Sequence, residues 1–138
     1  RFGGSCYTFR GDFNTSTPFD VDSSTAYVTS DTTTRAVLTT SAANEPIIWL
    51  SVGHSSTAVT VTPPTVPTTF TEHTDEHDGG SRFYRSVASV LWTGSGATGN
   101  MDGTLSATAA NAKHAFAIAL QPAAASAQTF GFRLRVIQ

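Results

Sequence analysis

Apolar and polar residues alternate along this chain with a period of two, and that rhythm restricts it to sheet structure. In residues 58–62, Val59 and Val61 point one way while Thr60 and Thr62 point the other, the pattern of a half-buried strand. In residues 129–138, Phe130, Phe132, Leu134 and Val136 are set against Gly131, Arg133 and Arg135. One stretch, residues 105–120, is rich enough in alanine to suggest a helix. Its end nevertheless separates Phe116, Ile118 and Leu120 from Ala115, Ala117 and Ala119, a division by two and not by 3.6. The alanine face admits close approach of another layer or another chain.

Turn residues punctuate these runs as in sandwiches and barrels. Strands are expected at residues 6–13, 26–29, 35–40, 47–52, 58–62, 68–73, 81–92, 104–108, 114–120 and 129–138. Residues 14–22 read as a loop containing Pro and Asp, 41–46 as a turn, and 94–103 as a Gly-rich loop. The apolar run of residues 47–52 is expected to be covered on both faces. Pro63, Pro64 and Pro67 forbid a central strand and mark a sheet edge or crossing loop. The fold class is therefore all-β: a two-layer antiparallel β-sandwich, jelly-roll-like, in a single domain. N-terminal strands and a loop occupy about residues 1–45, the main sandwich about 46–122, and a C-terminal strand about 129–138.

At 138 residues, one core suffices without disulfide staples, which agrees with Cys6 being the lone cysteine. Ser and Thr exceed a quarter of the chain, and charged residues are only 13%, against about 25% in average soluble domains. Lys113 is the single lysine, so sheet edges lack their usual lysine guard unless prolines and loops protect them. A formal net charge of −2 argues against a nucleic-acid partner, which calls for a basic face; Arg133 and Arg135 alone make no phosphate track. No run reaches the roughly 18 apolar residues of a membrane helix, and no membrane partner is expected. The sequence opens on Arg1 rather than Met, and an upstream segment is expected.

The densest titratable cluster is Glu72–His73–Thr74–Asp75–Glu76–His77–Asp78. His73, His77, Asp75 and Asp78 are the candidate metal ligands. A helix would bring the two imidazoles together, but the H-E-x-x-H pattern is absent. On a regular strand they share a face about 13 Å apart, too far for one metal. A calcium loop from Asp75, Glu76 and Asp78 lacks the EF-hand spacing, so a solvated polar hairpin end is the expectation, with no cofactor. Gly94-x-Gly96-x-x-Gly99 lacks the strand and helix context of a dinucleotide site, and no nucleophile elbow frames a serine. His54 caps a turn and His114 begins a strand. Asn14–Thr15–Ser16 spells a glycosylation acceptor. An enzyme is not expected. Trp92, with Tyr84 nearby in sequence, is the candidate sugar-stacking platform, whereas Trp49 belongs to the core.

From residue 44 to 122 the layout runs as follows: the apolar strand Ile47–Ile48–Trp49–Leu50–Ser51–Val52, a Thr/Val strand, the Gly79–Gly80 turn, and an aromatic strand ending in Trp92. After it come a G-T-x-S-x-T segment from Gly103 and a closing A-F-A-I-A-L-Q-P strand from Ala115. This layout resembles the jelly-roll or sandwich proteins of tailed-bacteriophage virions, above all capsid decoration (cement) proteins and tail-associated modules, over a little more than half the chain. The resemblance implies a structural protein at the capsid surface. Its partners would be a major capsid protein, other virion proteins and copies of itself. A carbohydrate- or receptor-binding module of a phage tail or secreted protein is the alternative.

Overall fold

The computed structural model describes residues 6–11, 13–22, 24–26, 32–55, 57–77, 83–107, 111–123 and 131–132, and these contain strands and no helix. The strands are β1 (Phe9–Arg10), β2 (Phe19–Asp22), β3 (Ser24–Ala26), β4 (Thr33–Val37), β5 (Thr39–Thr40), β6 (Glu45–His54), β7 (Val61–Thr62), β8 (Thr71–His77), β9 (Phe83–Trp92), β10 (Gly96–Ala97), β11 (Met101–Leu105), β12 (Asn111–Leu120) and β13 (Gly131–Phe132). A five-stranded sheet in the order β2-β12-β6-β9-β8 packs on a four-stranded sheet in the order β3-β4-β11-β7. The result is a two-layer antiparallel sandwich.

Pairing is concentric. β1 pairs with β13, β2 with β12, β4 with β11, β5 with β10, and β6 with β9, all antiparallel. A long hairpin whose two arms wrap together into two sheets is the jelly-roll plan. The β4/β5 and β10/β11 ladder breaks once, between Val37 and Thr39. There the Leu38 N–H donates to Thr98 Oγ1 at 3.2 Å, and the Thr98 N–H donates to the Leu38 carbonyl at 3.0 Å. The threonine hydroxyl thus supplies an acceptor where the ladder does not. In the same loop Gly96 and Gly99 have φ of 89° and 74°, a region that favours glycine. The glycine spacing there serves the turn.

The core explains the alanine face. Ala115, Ala117 and Ala119 point between the layers and are buried. On the same inner face Trp49 is flanked by Ala117 on β12 and Ala88 on β9. From the opposite sheet Gly103 lies over the indole: a Cβ there would meet Trp49 ring carbons at 2.3 and 2.5 Å. Three small residues form the socket of one large one. The alanines serve the second layer of this chain.

Other expectations shift in detail. Residues 19–22, expected as loop, form β2, because their backbone satisfies the free side of β12 through a bulge at Ala119/Leu120. The strand expected over 58–62 shortens to Val61–Thr62, although Val59 and Val61 are buried and Thr60 and Thr62 exposed as the alternation requires. The strand expected at 104–108 begins earlier, at Met101. Both faces of β6 are largely covered: Ile47 and Trp49 lie inside, while Ile48 and Leu50 join an outer cluster with Val87, Ile118 and Leu120. Beyond Gly131–Phe132, the C-terminal residues 129–138 lie outside the described residues, Arg133 and Arg135 included.

Two of the sheet edges are guarded without lysine. β7, at one edge of the four-stranded sheet, runs into Pro63 and Pro64. β8, at one edge of the five-stranded sheet, carries Glu72, Asp75 and Glu76 and is bulged between Glu72 and Thr74. Charge, proline and bulges all oppose edge-to-edge pairing.

Candidate functional site

The acidic and histidine cluster is the body of an edge strand and not a hairpin end. Directly opposed residues of paired strands share a face. Asp75 therefore lies with Ser86, and His77 with Tyr84, on the inner face, whereas Glu76 lies with Arg85 outside. The bulge gives His73 to the outer face as well, where its Nε2 meets Ser89 Oγ at 2.6 Å. The two histidines thus stand on opposite faces of the sheet, a stronger separation than a regular strand would impose. Asp75 Oδ2 accepts the Val61 N–H from the facing layer at 2.9 Å. Burial raises its pKa, offset in part by that bond and by His77. Burial lowers the pKa of His73, and burial together with Asp75 raises that of Glu72. Glu76 is held by an ion pair with Arg85. Asp78 lies outside the described residues, and among those described no three His, Cys, Asp or Glu side chains converge on a metal position. Chelation by EDTA is accordingly expected to leave the melting temperature unchanged; a fall of many degrees, the signature of a ligand lost from the native state, would contradict this arrangement.

The two aromatic candidates do not meet. Trp92 and Tyr84 lie on the inner face of β9, eight residues and about 26 Å apart along the strand. Tyr84 is buried, its ring packed against Gly53, where a Cβ would stand 2.5 Å from the hydroxyl. Burial raises its pKa, tempered by the nearby Ser51. Trp92 is half-buried against the core, and its ring covers Gly94. Tyr84, being buried, offers no open stacking surface. Asn14, the head of the glycosylation triplet, is engaged structurally: its Oδ1 accepts the N–H groups of Ser16 and Thr17, and its Nδ2 donates to Gln121 Oε1 at 3.1 Å.

The surface that sequence reasoning missed is the outer face of the five-stranded sheet. Its register rows run Ile118–Ile48–Ser89, Phe116–Leu50–Val87–Thr74 and His114–Val52–Arg85–Glu76, ending in His54–Phe83. Tyr7, Phe9 and Phe13 of the N-terminal segment cover one part of it. The remainder is open: Phe116 and Val52 are each 40% exposed and Phe83 57%. His54 meets the Phe83 ring edge-on at 5.7 Å, and His114 lies against Phe116 at 6.2 Å. Of six large apolar side chains left exposed among the described residues, five (Phe19, Val52, Phe83, Leu91 and Phe116) sit on this face or its β2 margin; Val66 does not. The only sequence signal for it is that β12 is apolar on both of its faces.

A second feature lies at the opposite end of β6. Glu45 is fully buried at the head of the strand, its Oε1 accepting the Ala42 N–H at 3.0 Å while Oε2 accepts no hydrogen bond. Asp20, on β2, lies within reach of it and accepts both the N–H and the hydroxyl of Ser41. The sequence offered one clue, a carboxylate directly preceding the most apolar run in the chain.

No protein-family model matches this chain, and neither a curated protein nor a solved structure does.

Proposed function

We propose that this chain is a non-enzymatic structural subunit of a virus particle, a decoration or cement protein that stabilises a phage capsid through protein–protein contacts. The observation that carries this reading is the outer face of the five-stranded sheet. It gathers most of the exposed large apolar side chains, whereas the β7 and β8 edges are closed by proline, charge and a bulge. Exposed apolar side chains gathered on one face of an otherwise polar domain mark an interaction surface. Low charge suits the purpose, because the centres of stable interfaces are depleted in charged residues. The strand layout that resembles phage virion proteins supports the same reading. The partners are then a major capsid protein or other virion proteins, with copies of this chain beside it. The decisive experiment is co-sedimentation of the isolated protein with capsid shells lacking it. Saturable attachment that raises the shells' resistance to heat is expected; a monomer that binds no particle at high concentration would sink the reading.

A further inference from the structure

We propose that Asp20 and Glu45 form a proton-operated latch: one proton shared between the two carboxyls clamps β2 to the turn that precedes β6, and the clamp loosens when the proton leaves. This concerns the chain alone and is independent of any assembly.

The geometry is a closed loop of contacts between two segments distant in sequence. Ser41, in the turn, donates its N–H to Asp20 Oδ2 at 2.6 Å and its hydroxyl to Asp20 Oδ1. The next residue, Ala42, donates its N–H to Glu45 Oε1. Asn44 closes the turn with φ of 62°, a left-handed conformation that asparagine tolerates. Glu45 Oε2 is buried with no donor of its own, and the Asp20 carboxylate lies within hydrogen-bonding reach of the Glu45 carboxyl group. Two ionised carboxylates in contact, one of them cut off from water, are mutually costly. A proton on Glu45 turns that oxygen into a donor and makes the pair a short charge-assisted hydrogen bond.

The surroundings leave few other controls. Asp20 faces Glu45 from β2, and it is the charged group whose field acts on it among the described residues. From β9 the residue opposite is Trp92, which carries no charge. Burial first, then Asp20, pushes the Glu45 pKa up to about 7 from an ordinary 4.5. For Asp20, burial acts upward, but the two Ser41 donors and Glu45 together outweigh it, and its pKa is lowered. Glu45 thus contributes stability that is fully present below pH 4.5 and is lost as pH rises through about 7. Asp20 acts in the opposite sense, its contribution being lost only as pH falls below its ordinary 3.8. The clamp is therefore tightest in mildly acidic solution. What it holds is β2, the strand that closes one edge of the five-stranded sheet beside β12.

The test is amide hydrogen exchange at Ser41 and Ala42, corrected for the intrinsic effect of pH, in the wild type, Glu45→Gln and Asp20→Asn. Protection in the wild type is expected to fall about tenfold between about pH 6 and about pH 8 and to be flat above, since opening follows the Glu45 proton between its folded and unfolded titration points. Glu45→Gln, which keeps a donor beside Asp20, is expected to abolish the pH dependence. Asp20→Asn, should the glutamine variant fold poorly, is expected to move the fall to lower pH. Wild-type protection that does not change with pH, or an undiminished fall in Glu45→Gln, would overturn the latch. Recovery of protection at high pH by calcium ions would also overturn it, because a cation would then be holding the carboxylates.

Discussion

Replacing Trp49 with alanine is expected to cost about 3–5 kcal/mol, the range for emptying a large buried aromatic site. Against the roughly 5–15 kcal/mol that holds a typical domain together, that loss leaves a population close to unfolding at ordinary temperature. The reason is the socket. Ala117 and Ala88 flank the indole within its own sheet, and Gly103 faces it across the layers. Residues this small cannot relax inward to fill the space. The complementary change, Gly103→Ala, adds a methyl group where ring carbons already stand, at 2.3 Å from the new Cβ position. Overpacking of this kind costs about 1–3 kcal/mol. Combining Gly103→Ala with Trp49→Phe, a smaller ring, is expected to cost less than the sum of the two single changes, because each relieves the other. Urea unfolding followed by far-UV circular dichroism measures all four stabilities. A neutral Gly103→Ala would mean that the layers do not meet through this contact.

The same socket shows where sequence reasoning reached and where it stopped. Period-two alternation identified β12 as a strand despite its alanines, and it separated Val59 and Val61 from Thr60 and Thr62 correctly. Continuous apolar character marked β6 as covered on both sides. Alternation assigns residues to two faces, but it does not say which face looks inward. For most strands the apolar face is inside by default. In β12 both faces are apolar, and the choice depends on the volume of what lies beside it, namely Trp49 on β6 and Gly103 in the other layer. Trp49 lies far from β12 in sequence and Gly103 sits in the other layer, so only pairing and packing bring them together. The β8 bulge is illegible for a related reason. An extra residue in a strand changes which of His73 and His77 faces out, and nothing in residues 72–78 announces it. The pairing of Asp20 with Glu45 likewise depends on β2 adding to the edge of β12, which residues 14–22 do not betray, with Pro18 at their centre.

Placing a charge on the outer face is expected to abolish assembly while leaving the fold intact. Phe116→Lys and Val52→Lys each change a side chain that is already well exposed, opposite Leu50 and His114 respectively, so little core packing is lost. At the centre of an interface the same lysine must be desolvated without a partner. Anchor residues of this kind are worth about 2 kcal/mol or more, a loss of roughly thirtyfold or more in affinity. Two further substitutions locate the effect. Thr60→Lys changes an exposed residue beside the edge of the opposite layer, where the Thr60 N–H meets Ser106 Oγ at 2.9 Å; it is expected to leave both fold and attachment unchanged. Ala117→Lys places a charge in the Trp49 socket and is expected to destroy the fold outright. The proposed contact, if made through this apolar face, is expected to survive salt at about 1 M, where the Debye length is only about 3 Å. Sedimentation with particles and far-UV circular dichroism, measured on the same four variants, separate loss of contact from loss of fold. Attachment that is indifferent to Phe116→Lys and Val52→Lys but lost in a folded Thr60→Lys would move the contact to the other layer, and this face would no longer carry the function.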